Sequence, residues 1–251
     1  MKKLIWMLVL LSSLLTACGK QDEVRDEPVD KISKINLELG IAYMRERKYP
    51  EAMDNLQRAK DYNPDDPRIY SALALLYDRI GESDKAESTF EKAISMDEND
   101  SMTRNNYGAF LCKNGRYKEA YTQYKAALDN PLYTTPEYAH TNAGLCAVRS
   151  KDPEKAETEF RAALQKNPKF SIALFQMAKL SYEKDRMLQT RAYLQRFAEV
   201  SEPGPASLWL SIRVEKKLGD KNAVASQSLL LKAKYPDSEE TRQLLDTEQH
   251  E

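Results

Sequence analysis

Few residues in this chain of 251 residues could carry out chemistry. There are two histidines, His140 in the middle of the chain and His250 in its polar C-terminal end, and three cysteines. Two histidines so far apart predict neither a metal site nor a serine–histidine–aspartate triad. The eight glycines form no loop that would cradle a phosphate. We therefore expect no enzyme activity, no metal or other cofactor, and no small-molecule substrate.

One cysteine lies where a covalent modification is expected. Two lysines precede an apolar run over residues 4–11, and residues 1–17 have the layout of a bacterial secretory signal. The run is too short to span a membrane. The LTAC sequence that ends in Cys18 resembles the lipoprotein box, in which the cysteine is acylated and becomes the first mature residue. We expect Cys18 to carry a lipid that anchors the protein to a membrane; the alternative is an ordinary signal with an incidental cysteine.

The segment that follows the signal is expected to be a tether. Residues 18–32 are polar and charged and include a proline, a composition typical of flexible segments. The residue after the cysteine is Gly19. An aspartate at that place would resemble the signal for retention in the inner membrane. We therefore expect a location on the periplasmic face of the outer membrane. Removal of Lys2 and Lys3 leaves 36 basic against 39 acidic side chains, a balance that does not favour nucleic-acid binding.

A period of 34 residues organises the rest of the chain. Small residues recur at this spacing, with one step of 36, and a larger residue ends the series: Gly40, Ala74, Gly108, Gly144, Ala178 and Ile212. Alanines recur 12 and 19 residues further on in the first four copies. Between these alanine columns lies a mostly large apolar column: Leu56, Phe90, Tyr124, Phe160, Leu194 and Ser228. The spacing predicts six helical hairpins stacked into an all-α solenoid.

This pattern resembles the tetratricopeptide repeat, a superhelical solenoid of helix-turn-helix units with small residues at these places. The resemblance divides residues 33–240 into six repeats: 33–66, 67–100, 101–134, 137–170, 171–204 and 205–238. Residues 241–251 are expected to be a C-terminal tail. The step from Gly108 to Gly144 is two residues longer than the others, and the segment 129–136 accommodates these two residues. This segment is either a plain longer loop or a protruding contact for a partner.

The other two cysteines, Cys112 and Cys146, fall in the first helices of adjacent repeats, two places apart in the repeat pattern. Because neighbouring helices pack about 8 to 10 Å apart, we expect two buried or half-buried thiols. A disulfide formed in an oxidising periplasm is the alternative.

The concave wall, made by the first helix of each repeat, is the expected binding surface. The tetratricopeptide family presents the second, fifth, ninth, twelfth and thirteenth residues of each repeat to its ligands. In repeats one and two these places include an apolar stripe and two neighbouring arginines: Leu37, Ile41, Met44, Leu75, Arg45 and Arg79. The stripe is either a groove for an apolar helix or strand of a partner, in which methionine adds adaptability, or a surface over which the tether folds, or the core at the end of the array. The family's clamp for a C-terminal carboxylate needs lysines and asparagines at specific places in consecutive repeats. It is not expected, because Asn105 is the one such residue that this chain has.

Several segments carry a closer resemblance: NNYGAFLCKNGRYKEA, NAGLCA, MAKLSYE, SLWLSIR and YPDSE. Together with the lipoprotein box and the six repeats, they resemble the type IV pilus biogenesis lipoproteins of the PilF/PilW pilotin family. The resemblance implies a lipid-anchored helper that binds the pilus secretin, brings it to the outer membrane and promotes its assembly into the multimeric channel. Two alternatives are another envelope lipoprotein with this repeat, such as an outer-membrane protein assembly factor or a peptidoglycan-hydrolase adaptor, and a regulatory subunit of an enzyme.

Overall fold

A computed structural model describes residues 27–250 of the chain. These residues form thirteen α-helices and no β-strand. In chain order the helices are α1 (Glu27–Arg45), α2 (Tyr49–Tyr62), α3 (Pro67–Ile80), α4 (Ser83–Met96), α5 (Ser101–Lys113), α6 (Tyr117–Asp129), α7 (Pro136–Arg149), α8 (Pro153–Lys166), α9 (Ser171–Glu183), α10 (Met187–Val200), α11 (Pro205–Leu218), α12 (Lys221–Lys234) and α13 (Glu239–Gln249). Helices α1 to α12 pair as six hairpins, and neighbouring hairpins pack against each other. The predicted all-α repeat solenoid is confirmed.

Each hairpin turns through one residue with a left-handed backbone conformation. These six residues follow the period of the sequence: Arg47, Gly81, Gly115, Lys151, Asp185 and Gly219, with φ angles between 55° and 85°. A left-handed residue at the end of a helix lets the chain reverse while backbone N–H groups bond the last carbonyls. Three of the six turns therefore adopt the left-handed conformation at a residue other than glycine, the residue type that favours it.

The small residue of each repeat allows its two helices to pack closely. A Cβ atom added to the glycine would lie 2.5 to 2.7 Å from the side chain opposite in three repeats, in the pairs Gly40 with Leu56, Gly108 with Tyr124 and Gly144 with Phe160. Real Cβ atoms do not approach other atoms so closely. The large residue therefore packs directly on the backbone of the first helix, and its own side chain is buried.

The sixth repeat reverses this arrangement, and a further helix covers its end. Ile212 takes the place of the small residue, and Ser228 takes the place of the large one. Residues 241–251 were expected to be a tail, but most of them belong to α13, whose Leu244 packs with Ile212 and Leu231. A last repeat exposes an apolar side that a neighbour would otherwise cover, so a helix across that side removes it from water.

The N-terminal boundary of the solenoid also differs from the expectation. Helix α1 begins at Glu27, so residues 27–32 of the predicted tether are helical. The first turns of α1 are held to the end of α2, because Ser33 Oγ donates a hydrogen bond of 2.8 Å to the Ala59 carbonyl. The predicted signal, the modified Cys18 and the remainder of the tether lie outside the described residues.

The expectation of two thiols is wrong, because Cys112 and Cys146 form a disulfide between α5 and α7. Their Cα atoms are 5.8 Å apart. The expectation compared the separation of helix axes with the reach of a disulfide, but each Cα lies about 2.3 Å from its own axis. Two Cα atoms that face each other across an 8 to 10 Å helix pair are therefore close enough to be bridged. Both cysteines are buried, as expected.

Candidate partner-binding groove

The apolar stripe of the first two repeats lies in a cavity of about 720 Å³ on the wall formed by α1, α3 and α5. We call this cavity the front groove. Five of the six predicted residues line it: Leu37, Ile41, Met44, Arg45 and Leu75. Arg79 does not line the cavity, although it is exposed in the last turn of α3.

The apolar residues of the front groove differ in exposure. Leu37 is only 5% exposed and packs into the core of the first repeat, so it forms the floor. Ile41, Met44 and Leu75 are half-buried. Met102, in the first turn of α5, is 58% exposed and continues the apolar surface into the third repeat. The groove thus offers a partner several apolar side chains around a fixed floor.

The longer connection between α6 and α7 supplies a further wall of the front groove. Asn130 fixes its start, since its side chain donates to the carbonyl of Asn99 and to Ser101 Oγ, at 2.9 and 3.0 Å. Leu132 follows and is 83% exposed beside the groove. Burial raises the pKa of the Tyr133 hydroxyl. The sequence signalled this contribution only through the two extra residues of the third repeat.

The rim of the front groove is charged but not strongly of one sign. Burial acts to raise the pKa of Asp66, but hydrogen bonds and charge from Arg68 hold it below its ordinary value. Arg68 lines the groove. Its charge is compensated by the Asp66 carboxylate, whose oxygen lies 2.6 Å from the guanidinium. Two cations, Lys34 and Arg45, and two carboxylates, Glu38 and Asp100, line the same cavity. Selection in this groove would therefore come mainly from its apolar residues.

The remaining candidates for chemistry have structural roles. His140 Nδ1 lies 2.8 Å from Glu159 Oε2, and the pair joins α7 to α8. Between residues 27 and 250 no group of three or more histidine, cysteine or acidic side chains could hold a metal ion. Over the same span, no helix has the length and apolar character needed to cross a bilayer.

The fold and the front groove define a tetratricopeptide-repeat scaffold for protein–protein interaction. Models described as TPR repeat or tetratricopeptide repeat match residues 40–81, 67–100, 89–122 and 111–169. The chain is 30% identical over 236 residues to the type IV pilus assembly protein PilF of Pseudomonas aeruginosa, a match that covers 92% of this chain and 94% of PilF.

Two solved structures extend this similarity to three dimensions. The structure of Pseudomonas aeruginosa PilF matches with a TM-score of 0.75 at 28% identity, and covers 88% of this chain and all of that one. The crystal structure of PilW, described as a widely conserved type IV pilus biogenesis factor, matches with a TM-score of 0.74 at 27% identity, over 86% of this chain and 99% of PilW. The chain belongs to the PilF/PilW family of tetratricopeptide-repeat proteins of type IV pilus biogenesis.

Proposed function

We propose that this protein acts as a pilotin. In this role a lipid on Cys18 holds it at the periplasmic face of the outer membrane, and the front groove binds the secretin of the type IV pilus. Binding brings the secretin to that membrane and promotes its assembly into a multimer. The role is one of binding without catalysis, and it needs no cofactor beyond the covalent lipid.

The observation that carries the proposal is the match to PilF along nearly the whole of both chains. PilF is named as a type IV pilus assembly protein. A match restricted to a few repeats would support only the scaffold, since that repeat serves many unrelated partners. A match over 92% of this chain and 94% of PilF supports the same task as well as the same fold.

The front groove fits the requirement for a client-binding site. An apolar helix or strand that enters it would cover Ile41, Met44 and Met102 together. Each apolar side chain that becomes fully buried contributes about 1.5 to 3 kcal/mol. A lipid anchor would add to this affinity without any new contact, because it raises the concentration of the protein near a client at the same membrane.

The first test replaces apolar groove residues that are not part of the core. We expect Met44→Asp combined with Met102→Asp to weaken secretin co-purification from membranes by about tenfold or more, because charge in the groove opposes apolar burial. Heat-stable secretin multimers should fall in parallel. Leu37 is unsuitable for this test, since a charge at a residue that is 5% exposed would unfold the repeat.

The matched control is Leu188→Asp, which removes an exposed apolar side chain on α10, far along the chain from the groove. It should leave secretin binding and multimers unchanged. The anchor is tested separately with Cys18→Ala, which should deplete multimers from the outer membrane while the purified variant still binds secretin. Normal secretin binding by the groove double variant, with a helical circular dichroism spectrum, would exclude the front groove as the client site.

A further inference from the structure

A second cavity opens on the same wall near the other end of the chain, between α9 and α11. Its volume is about 680 Å³, and we call it the rear groove. It is lined by Lys179, Tyr182, Glu183, Asp185, Leu210, Arg213 and Lys217. Five of these seven residues occupy the ninth, twelfth or thirteenth places of repeats five and six. The rear groove shares none of its lining residues with the front groove.

The cations of the rear groove are stacked on aromatic rings. The guanidinium carbon of Arg213 lies 4.6 Å from the centre of the Tyr182 ring, and Lys217 Nζ lies 4.9 Å from the same centre. Lys179 Nζ lies 5.9 Å from the centre of the Phe175 ring. Cations held over rings lose part of their rotamer freedom before any ligand arrives, which lowers the entropic cost of a later contact.

Two of these cations have no carboxylate partner among residues 27–250. Lys217 pairs with Asp185 at 2.9 Å, but Arg213 and Lys179 form no ion pair with a described residue. Many other cations of the described surface are paired, as Lys184 is with Glu157. An arginine that lines a cavity and forms no ion pair with a described residue is suited to receive a carboxylate through two parallel hydrogen bonds.

Arg213 also lines an adjoining cavity of about 780 Å³ between α11, α12 and α13. This cavity is largely apolar, with Trp209, Val224 and Leu229 in its lining, and Leu229 is 71% exposed. Ser228 lies in the same lining, and its buried Oγ has no hydrogen-bond partner among the described residues. A buried hydroxyl without a partner is costly, so this end of the array is packed less favourably at Ser228 than it would be with an apolar side chain there.

We propose that the rear groove and this adjoining cavity bind an extended peptide segment of a partner protein, in which a carboxylate lies next to a bulky apolar side chain. The carboxylate pairs with the guanidinium of Arg213 and lies near Lys179. The apolar side chain enters the adjoining cavity against Trp209 and Leu229. This site is independent of the front groove and goes beyond the pilotin role.

The test uses the full mature chain, purified from membranes in detergent, and a short fluorescein-labelled peptide of alternating aspartate and leucine. Fluorescence anisotropy should show binding that weakens as salt is raised. A matched peptide with asparagine in place of aspartate should bind about tenfold more weakly, because it lacks a charge-assisted hydrogen bond to Arg213. A peptide with alanine in place of leucine should lose a similar amount.

Variants of the chain locate the site. Arg213→Gln keeps most of the side-chain stem and should weaken the aspartate–leucine peptide about tenfold, with little effect on the asparagine peptide. Lys118→Gln, an exposed cation on the second helix of repeat three, is the control and should change neither. The front-groove double variant should bind the peptide normally, which separates this proposal from the pilotin proposal.

Three outcomes would overturn the proposal. The first is equal affinity for the aspartate and asparagine peptides, and the second is an equal loss in the Arg213→Gln and Lys118→Gln variants, which would indicate general charge attraction. The third is a preference for vesicles of anionic over neutral phospholipid that depends on Arg213, without peptide binding. That result would assign the cations to a membrane surface.

Discussion

Repeats one to four and repeats five to six show two ways to pack the same hairpin. In the first group the alanine columns are almost fully buried and allow close helix contacts, and a large side chain lies on a small residue. In the second group Thr190 and Val224 replace alanines of one column, and the sixth repeat exchanges small for large as Ile212 and Ser228. The exchange keeps the total volume, which helical cores tolerate.

The exchange of a small for a large residue in the sixth repeat changes the space available beside its helices. A large ring packed on a glycine leaves little space, whereas Ser228 lies beside a cavity of about 780 Å³ and its hydroxyl has no partner in the described part of the chain. The first group is thus packed tightly behind its groove, and the sixth repeat leaves room beside its helices. One repeat framework can therefore hold an apolar groove at one end and a groove with three cations and two carboxylates at the other.

The largest expected difference between the groups is at the large residue of the hairpin. Phe160→Ala should lower the free energy of unfolding by about 3 to 5 kcal/mol, because it removes a fully buried ring and leaves a cavity. Ser228→Ala, at the equivalent place, should raise it by about 1 kcal/mol, because it removes a buried hydroxyl that has no partner between residues 27 and 250. Urea unfolding measures both. Losses of equal size would show that the two groups are packed alike.

The disulfide lies within the first group, and its removal should reduce the difference between the groups. The bonded cysteines are 34 residues apart, and closure of such a loop contributes about 3 to 4 kcal/mol in the chain-entropy model. Cys112→Ser with Cys146→Ser should lower the urea midpoint and speed hydrogen exchange in α5 and α7. Exchange in α11 and α12 should not change, since a repeat contacts mainly its neighbours. Faster exchange along the whole chain would show that the solenoid unfolds as one unit.

The smallest expected effect concerns the junction between the groups, where Glu157 on α8 binds Lys184 at 2.7 Å. Hydrogen bonds from Lys184, and then from Arg161, lower the pKa of Glu157 from 4.5 to about 2. A lowered carboxyl pKa stabilises the folded state above pH 4.5, and this contribution is lost as the pH falls from 4.5 towards 2. Glu157→Gln should lack this part of the pH dependence. Identical slopes of stability against pH in both proteins would contradict the assignment.

The front groove was predicted in part because the repeat period converts sequence positions into places on a wall. Ile41, Met44 and Leu75 could be assigned to one surface from their spacing alone. Leu132 could not, since it lies in a connection that has no counterpart in the repeat pattern. The rear groove was not predicted either, because the stacking of Arg213 on Tyr182 depends on how adjacent first helices lie against each other.

The hairpin turns also combine residues whose conformation their type favours with residues whose conformation only the structure shows. Gly81, Gly115 and Gly219 are of the residue type that favours a positive φ, and Arg47, Lys151 and Asp185 adopt the same left-handed conformation in the other three turns. The identity of Arg47 and Lys151 does not predict it, because their side chains disfavour a positive φ, whereas aspartate adopts this conformation more often. The conformation follows from the hairpin, which must reverse the chain in the same few residues in each repeat.

The sequence by itself determined the number of hairpins, their order and the wall that carries the front groove, because a helical repeat fixes which side chains share a face. Only the tertiary structure decided the disulfide between Cys112 and Cys146, the helix that covers the last repeat and the cations stacked in the rear groove. These features depend on distances between side chains of different helices. The spacing of residues along one chain does not contain such distances until the helices are packed.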